Sequence, residues 1–366
     1  MKFIVRQQSL HNELQFLQGI AEKKKTIPIL SNILLRADGD FLTLAATDLE
    51  VSLTGGCAAQ IEEPGGITVS AKKIFEVVRS LAGEEISFAV TDGSWLEITC
   101  GNSFFRLVGL APDDFPDVPE NDFSTAQKIS HDVFKNLISC TIFAVTQEDA
   151  RYALNGALLE MDSQTIRMVA TDAHRLAMVE QAFSGDAEVK AIVPKKTLTE
   201  LRNLSNGEEM LFAQDDHHLF FKIGHRVLAT RIIEGQFPSY EKVIPEGNSL
   251  TVIFAKEAMA GAIRRVSLLA SERSRAVRFK FAPGEVTVSS SNPELGEAEE
   301  SVAVQYEGEE LEVSFNAQYI LDFLAVVEGE EVVFRLKDPA SQGLLEPLEQ
   351  SSETSNYKYV IMPMRM

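Results

Sequence analysis

Apolar and polar positions alternate through Ile166, Met168 and Ala170 and then give way to Thr171-Asp-Ala-His-Arg175, the pattern of a strand entering a tight connection. The pattern occurs 124 residues earlier, where Phe41-Leu-Thr-Leu-Ala runs into Ala46-Thr-Asp-Leu-Glu50. It occurs again 120 residues later, where Glu285-Val-Thr-Val-Ser runs into Ser291-Asn-Pro-Glu294. A period near 122 also organises the elements before and after these turns. Each third opens with a short strand and an amphipathic helix. Lys2–Arg6 precedes a stripe of Leu10, Leu14, Phe16, Leu17 and Ile20, with Ser9 as the expected N-cap. Gln127–Ile129 precedes Ser130, Val133, Phe134, Leu137 and Ile138, and Leu250–Phe254 precedes Ala258, Met259, Ala262, Ile263 and Val266.

A strand pair follows each time: Ile33–Leu35 with Leu42–Leu44, Ala157–Leu159 with Ile166–Met168, and Val277–Phe279 with Val286–Val288. Asp38-Gly39 and Pro283-Gly284 supply turn residues for two of these pairs. Strand-into-helix steps come next, at Ile67–Leu81, Ala191–Leu204 and Val313–Leu324. A paired acid and a new strand close each step, at Glu84-Glu85, Glu208-Glu209 and Glu330-Glu331. Phe115-Pro116 and Phe237-Pro238, again 122 apart, finish two of the units. Chance similarity among generic amphipathic elements is the competing explanation, but several features holding one period argue against it. The expectation is three copies of one α+β unit, each with two helices packed on antiparallel strands, at 1–121, 122–244 and 245–366.

Composition narrows the function. The 366 residues include 34 basic and 54 acidic side chains, a net charge of −20, and each third is acidic on balance. Any nucleic-acid surface must therefore be local, since phosphate binding needs cations. Lys72-Lys73 and Lys195-Lys196 are expected at equivalent places in the first turn of a helix, where cations oppose the helix dipole but suit an anion site. Singly these read as solvated lysines; as a repeated set they make backbone-only contact with DNA credible. Tyr152 beside Arg151 suits a base or sugar, or simply a half-buried place. Cys57, Cys100 and Cys140 are isolated and lack metal-ligand spacing, as expected of buried free thiols. No stretch is apolar for long enough to span a bilayer, and charge follows Met1 too soon for a secretory leader, so a cytosolic chain is expected.

Catalysis finds no motif: there is no phosphate-binding glycine loop, no nucleophile elbow and no paired-histidine zinc helix. His217-His218 sits in a polar turn, and Asp48 and Asp172 follow Thr where Asp caps backbone N–H groups. No metal, cofactor or catalytic residue is expected. The chain ends in Tyr357-Lys-Tyr-Val-Ile-Met-Pro-Met-Arg-Met366, a last strand followed by a methionine-rich segment that can adapt to several partners.

Thr26-Ile-Pro-Ile-Leu30, Ala46-Thr-Asp-Leu-Glu50, Asp114-Phe-Pro116, Arg151-Tyr-Ala-Leu-Asn-Gly156, Ala170-Thr-Asp-Ala-His-Arg-Leu-Ala177, Phe237-Pro238 and Tyr359-Val-Ile-Met-Pro-Met-Arg365 together resemble the bacterial DNA polymerase III beta subunit family, the sliding clamps, over the whole chain. The resemblance implies three clamp domains forming a crescent that dimerises head to tail into a closed ring around double-stranded DNA, without sequence preference. It implies a non-catalytic processivity factor that tethers the replicative polymerase, the clamp loader and repair proteins by short peptides, in the cytoplasm at the nucleoid and off the membrane. A repeat-built interaction scaffold that never encircles DNA is the alternative.

The resemblance also assigns residues. The peptide pocket carries over to Leu154, Thr171, His174, Arg175, Leu176, Pro238, Lys242, Val243, Tyr319, Val360, Met362, Pro363, Met364 and Arg365, between the second and third domains. DNA contacts carry over to Lys24, Lys72, Lys73, Glu148, Tyr152, Lys195 and Lys196. The dimer seam carries over to Phe105 and Leu107 against Leu268 and Leu269, flanked by Lys73 and Glu294. Ala173 where glycine is common, Ala153 where an aromatic is frequent, Lys242 for arginine, Met366 for leucine and Glu148 for a neutral amide depart from the family pattern.

Overall fold

The computed structural model describes residues 1–21, 27–91, 94–146, 149–185, 188–204, 209–349 and 355–365, with backbone alone at 149–151 and 355. Lys24, Glu148 and Met366 lie outside the described residues. Six α-helices are described: α1 (Gln7–Ile20), α2 (Ala71–Ser80), α3 (His131–Thr141), α4 (Lys195–Asn203), α5 (Lys256–Val266) and α6 (Ala317–Leu324). The strand pairings described are antiparallel, as short hairpins joined edge to edge require. The fold is α+β.

The expected period is present in the register. Leu35 stands opposite Leu44, Leu159 opposite Met168, and Phe279 opposite Val288, in three hairpins of the same form. All six side chains are buried, each worth roughly 1.5–3 kcal/mol relative to exposure. Gly39 and Gly284 turn two of these hairpins with φ of 61° and 80°, which costs glycine no steric penalty.

One expectation fails at the first helix. Ser9 is not its N-cap: α1 begins at Gln7, with Arg6 in the capping place and no side-chain cap. The strand Lys2–Arg6 runs straight into the helix, and the Gln7 N–H donates to the Glu84 carbonyl at 2.8 Å. α5 begins the same way, Lys256 N–H donating to Glu330 O at 2.8 Å. The first acid of the pair in the first and third repeats thus marks a place where a backbone carbonyl satisfies a helix start, so no capping side chain is needed there; Glu208, in the second, lies outside the described residues. Glu13 is a second surprise, buried on the apolar stripe of α1. Its carboxylate accepts Arg226 Nε at 3.0 Å and Nη2 at 2.7 Å, and Arg226 lies over the Phe16 ring at 4.3 Å.

The chain divides into two compact units, Met1–Lys135 with Lys196–Ile232, and Asn136–Lys195 with Ile233–Met366. Unit one holds a twelve-stranded sheet; unit two holds an eight-stranded and a four-stranded sheet. The units cut across the expected thirds because strands pair across repeats. In unit one, Val51–Glu63 pairs with Arg226–Arg231. In unit two, Arg175–Ala182 pairs with Ser355–Ile361. Cys57, Cys100 and Cys140 are buried free thiols; burial, the larger cause, pushes Cys57 and Cys140 up to about 12.

Candidate functional site

The most apolar cavity described lies in unit two, where the turn after strand Thr165–Thr171 meets the end of strand Ser355–Ile361. Local chemistry builds the turn. Asp172 Oδ1 accepts the backbone N–H groups of His174 at 2.9 Å and Arg175 at 3.0 Å. Thr171 Oγ donates to Arg175 O at 2.6 Å and accepts Ala173 N–H at 3.1 Å. Ala173 sits at φ 73°, a left-handed conformation that glycine would adopt without steric cost.

Arg175 fixes the turn from below. Its Nε donates to Asp172 Oδ2 at 2.9 Å, Nη1 to Asp322 Oδ2 at 2.6 Å and Nη2 to Phe143 O at 2.6 Å. The guanidinium also lies 4.2 Å from the Tyr319 ring centroid and 5.4 Å from that of Phe143. Burial opposes its charge, but Tyr359, Asp322 and Asp172 outweigh that cost and raise its pKa. Three of its five N–H donors are thus committed within the fold, which makes Arg175 a structural strut.

The cavity is about 200 Å³ and is lined by Leu154, Thr171, Ala173, His174, Arg175, Leu176, Pro238, Tyr240, Val243, Val360 and Met362. Its apolar floor continues into a core of Leu158, Val169, Met178, Ile192, Phe237 and Leu344. The tail is tied down by Met362 N–H to His174 O at 2.9 Å and Met364 N–H to Ser314 O at 2.8 Å. Most of the expected pocket residues thus converge. Lys242 faces an adjoining polar cleft with Glu241, Asn248 and Lys337. Tyr319 acts through Arg175, and Pro363, Met364 and Arg365 continue the tail past the cavity. The assignment by family resemblance omitted Tyr240. Its hydroxyl donates to Glu160 at 2.7 Å and accepts Arg167 Nη1 at 3.0 Å, and burial with Glu160 raises its pKa. Its offset of 122 from Val118, a partly buried apolar position, was the available signal.

The lysine pairs are not equivalent as expected. The helix starts stagger them by one: buried Ile74 matches buried Leu198, so Lys72 matches Lys196 while Lys73 matches Thr197. Lys72 and Lys73 are exposed, 3.9 and 2.9 Å from Glu76. Lys196 donates to Ile20 O and Asp48 Oδ2, both at 2.5 Å. Lys195 donates to Val145 O at 2.9 Å, and burial, then Arg175, lowers its pKa. Tyr152 is exposed. Asp48 and Asp172 both spend Oδ1 on backbone N–H groups. Among the described residues no cluster of three His, Cys, Asp or Glu is placed to hold a metal ion.

On the expected seam, Phe105 and Leu107 are half-buried on strand Ser103–Leu110, whose opposite face exposes Phe104, Arg106 and Val108. Leu268 is 76% exposed and Leu269 half-buried in the turn Ser267–Leu269. Glu294 follows Asn292, whose side chain accepts its N–H at 2.9 Å.

Comparison with known proteins agrees with this geometry. Family models for the DNA polymerase III beta subunit match the N-terminal domain at residues 1–119, the central domain at 128–239 and the C-terminal domain at 241–365. The beta sliding clamps of Pseudomonas putida and Caulobacter vibrioides are each 37% identical, covering all of both chains. A crystal structure of the Pseudomonas aeruginosa clamp bound to griselimycin superposes with TM-score 0.93 at 36% identity, covering all of both chains. A Caulobacter crescentus clamp with polyethylene glycol bound gives 0.93 at 37% identity, covering 100% of this chain and 99% of that one.

The fold is therefore that of the α+β clamps, non-catalytic processivity factors in DNA replication. The chain belongs to the DNA polymerase III beta subunit family and is a DNA sliding clamp.

Proposed function

We propose that two copies close head to tail into a ring around duplex DNA, and that the cavity at Leu176 and Val360 takes a short apolar peptide from the replicative polymerase, clamp loader or repair proteins. The observation that carries the closure is a joint that occurs twice. The last strand of the second repeat, Arg226–Arg231, pairs with Val51–Glu63 of the first. The last strand of the third, Ser355–Ile361, pairs with Arg175–Ala182 of the second. By the same rule Gly296–Ala303 of the third repeat should receive a last strand, and among the described residues its outer edge has no ladder. The last strand left over is Ser103–Leu110 of the first repeat, whose outer edge pairs only through Gly109 and Leu110 among the described residues. A second copy satisfies both edges at once, leaving neither as a site for open-ended association.

Three modules with boundaries near Asn121 and Ile244 follow from this rule. Phe105 and Leu107 then pack on Leu268 and Leu269, with Lys73 near Glu294. Retention by threading explains how a chain of net charge −20 works on DNA: phosphate contacts need only be weak and salt-sensitive. We assign the DNA-facing surface to Lys72, Lys73, Tyr152, Lys195 and Lys196, with Lys24 and Glu148 from outside the described residues; the lysines supply the cations and Glu148 supplies none. The site of action is the cytoplasm, at the nucleoid; no helix among the described residues is long and apolar enough to cross a membrane.

The pocket is smaller than the ~300–1,000 Å³ of ordinary small-molecule sites, which suits one or two anchoring side chains worth roughly 1.5–3 kcal/mol each. Removal of Met362–Met366 tests both halves of the reading. Peptide binding should vanish while sedimentation at micromolar concentration still gives twice the chain mass. A truncated chain that binds peptide normally overturns the pocket, and a full-length chain of single mass overturns the closure.

A further inference from the structure

The two formed joints share a register that transfers to the unpaired edges. In the first, Val51, Ser52, Leu53 and Thr54 face Thr230, Ala229, Leu228 and Val227. In the second, Arg175, Leu176, Ala177 and Met178 face Ile361, Val360, Tyr359 and Lys358. The hairpin pairing Cys100 with Ser103 corresponds to the one pairing Ile223 with Arg226, so Phe105 and Leu107 take the places of Leu228 and Thr230. On the receiving side, Thr47 opposite Ser52 corresponds to Ser291 opposite Glu297, which puts Ala298 and Gly296 in the places of Leu53 and Val51. Resting on the head-to-tail closure above, we propose that the seam sets Leu107 opposite Gly296, Arg106 opposite Glu297 and Phe105 opposite Ala298 of the second copy, and that the Arg106–Glu297 ion pair selects that partner.

Burial, size and charge agree on this register. Leu228, Thr230, Tyr359 and Ile361, the equivalents in the formed joints, are all 0% exposed, whereas Phe105 and Leu107 remain half-buried. The two bulky side chains meet the smallest residues of the other strand. A slip of one residue would turn them to the exposed face. A slip of two in one direction would press Phe105 on Glu300, whose carboxylate already holds Arg265 at 2.6 and 2.8 Å. In the other direction it would carry Leu107 past the strand's end.

The outward faces are complementary as well. Strand Ser103–Leu110 carries one cation, Arg106, and strand Gly296–Ala303 exposes Glu297 and Glu299. Arg106 is extended over the Trp95 ring at 4.8 Å with Glu97 at 3.5 Å, and Glu297 accepts Ser291 Oγ at 3.1 Å. A groove of about 370 Å³ lined by Ser271, Ser289, Arg278, Glu297 and Glu299 opens beside the receiving edge. Directly opposed charges of opposite sign on one sheet face favour pairing, and like charges there oppose it.

Exchange of the two charges separates this register from closure in general. Arg106→Glu alone and Glu297→Arg alone should each weaken self-association by about tenfold or more, because like charges then meet at both seams. An equimolar mixture of the two variants should recover the dimer. At one seam the two substituted side chains face each other with opposite charge, and the second seam keeps its native pair. Such recovery also shows that both variants fold. Variants that dimerise like the unmodified chain, or a mixture no tighter than its components, overturn the register while the unmodified dimer leaves closure standing. An unmodified chain that stays monomeric overturns closure itself.

Discussion

Two turns 124 residues apart have nearly the same backbone and different surroundings. At Thr47–Val51, Asp48 Oδ1 accepts the N–H of Glu50 at 3.1 Å and of Val51 at 2.7 Å, Thr47 Oγ accepts Leu49 N–H at 3.0 Å, and Leu49 has φ 77°. At Thr171–Arg175 the same bonds recur, with Ala173 at φ 73°. Even the incoming strand matches: Arg231 N–H donates to Glu50 O at 2.8 Å, and Met362 N–H to His174 O at 2.9 Å. The apolar layers beneath correspond too, Leu34, Ala45 and Phe115 to Leu158, Val169 and Phe237. The turn is therefore a scaffold, and three local differences decide what it does. Leu49 stands where Ala173 leaves room. Lys196 holds the first aspartate, whereas Arg175 holds the second and reaches on to Asp322. After Arg231 the chain runs on towards the third repeat, while Met362 itself lines the cavity and the residues after it pass beyond.

The largest effect that separates the turns is expected at Arg175. Arg175→Ala leaves Asp172 and Asp322 partly buried without their cation and should cost about 3 kcal/mol in denaturant unfolding, with loss of peptide binding. An unfolding midpoint close to the parent's would mean that Arg175 is not the strut. Ala173→Leu converts the second turn towards the first and should weaken peptide binding tenfold or more, about 1.4 kcal/mol, by fluorescence anisotropy. Leu49→Ala, the reverse change, should confer no peptide affinity on the first turn. Lys196→Met should lower stability by roughly 1 kcal/mol, since its ammonium is partly exposed, without altering peptide affinity. The smallest effect is a gain: Ala173→Gly and Leu49→Gly should each stabilise by up to ~1 kcal/mol through relief of the left-handed strain.

Most of this architecture was legible in residue patterns, because apolar spacing and turn chemistry report local structure directly. The three hairpins, the three strand-into-helix steps that come later in each repeat, and the two Thr-Asp turns fall where periodicity puts them. Failures came where a partner distant in sequence changed the local rule. Ser9 looks like a cap only if the Glu84 carbonyl is ignored. Glu13 looks misplaced on an apolar stripe until Arg226, 213 residues away, supplies its charge. The lysine pairs look equivalent in bare sequence, but the buried Ile74 and Leu198 set helix phase and shift them by one. Pocket membership came from family resemblance rather than pattern, since Leu154, Pro238 and Met362 share no spacing.

Topological retention on DNA tests the account most directly. The clamp is loaded onto nicked circular DNA, separated from free protein, and the DNA is then cut once at a distant site. Release from the linear product within the time that uncut circles keep their clamps is the predicted result. Clamps that remain equally on linear and circular DNA would contradict a closed ring and return the function to direct affinity.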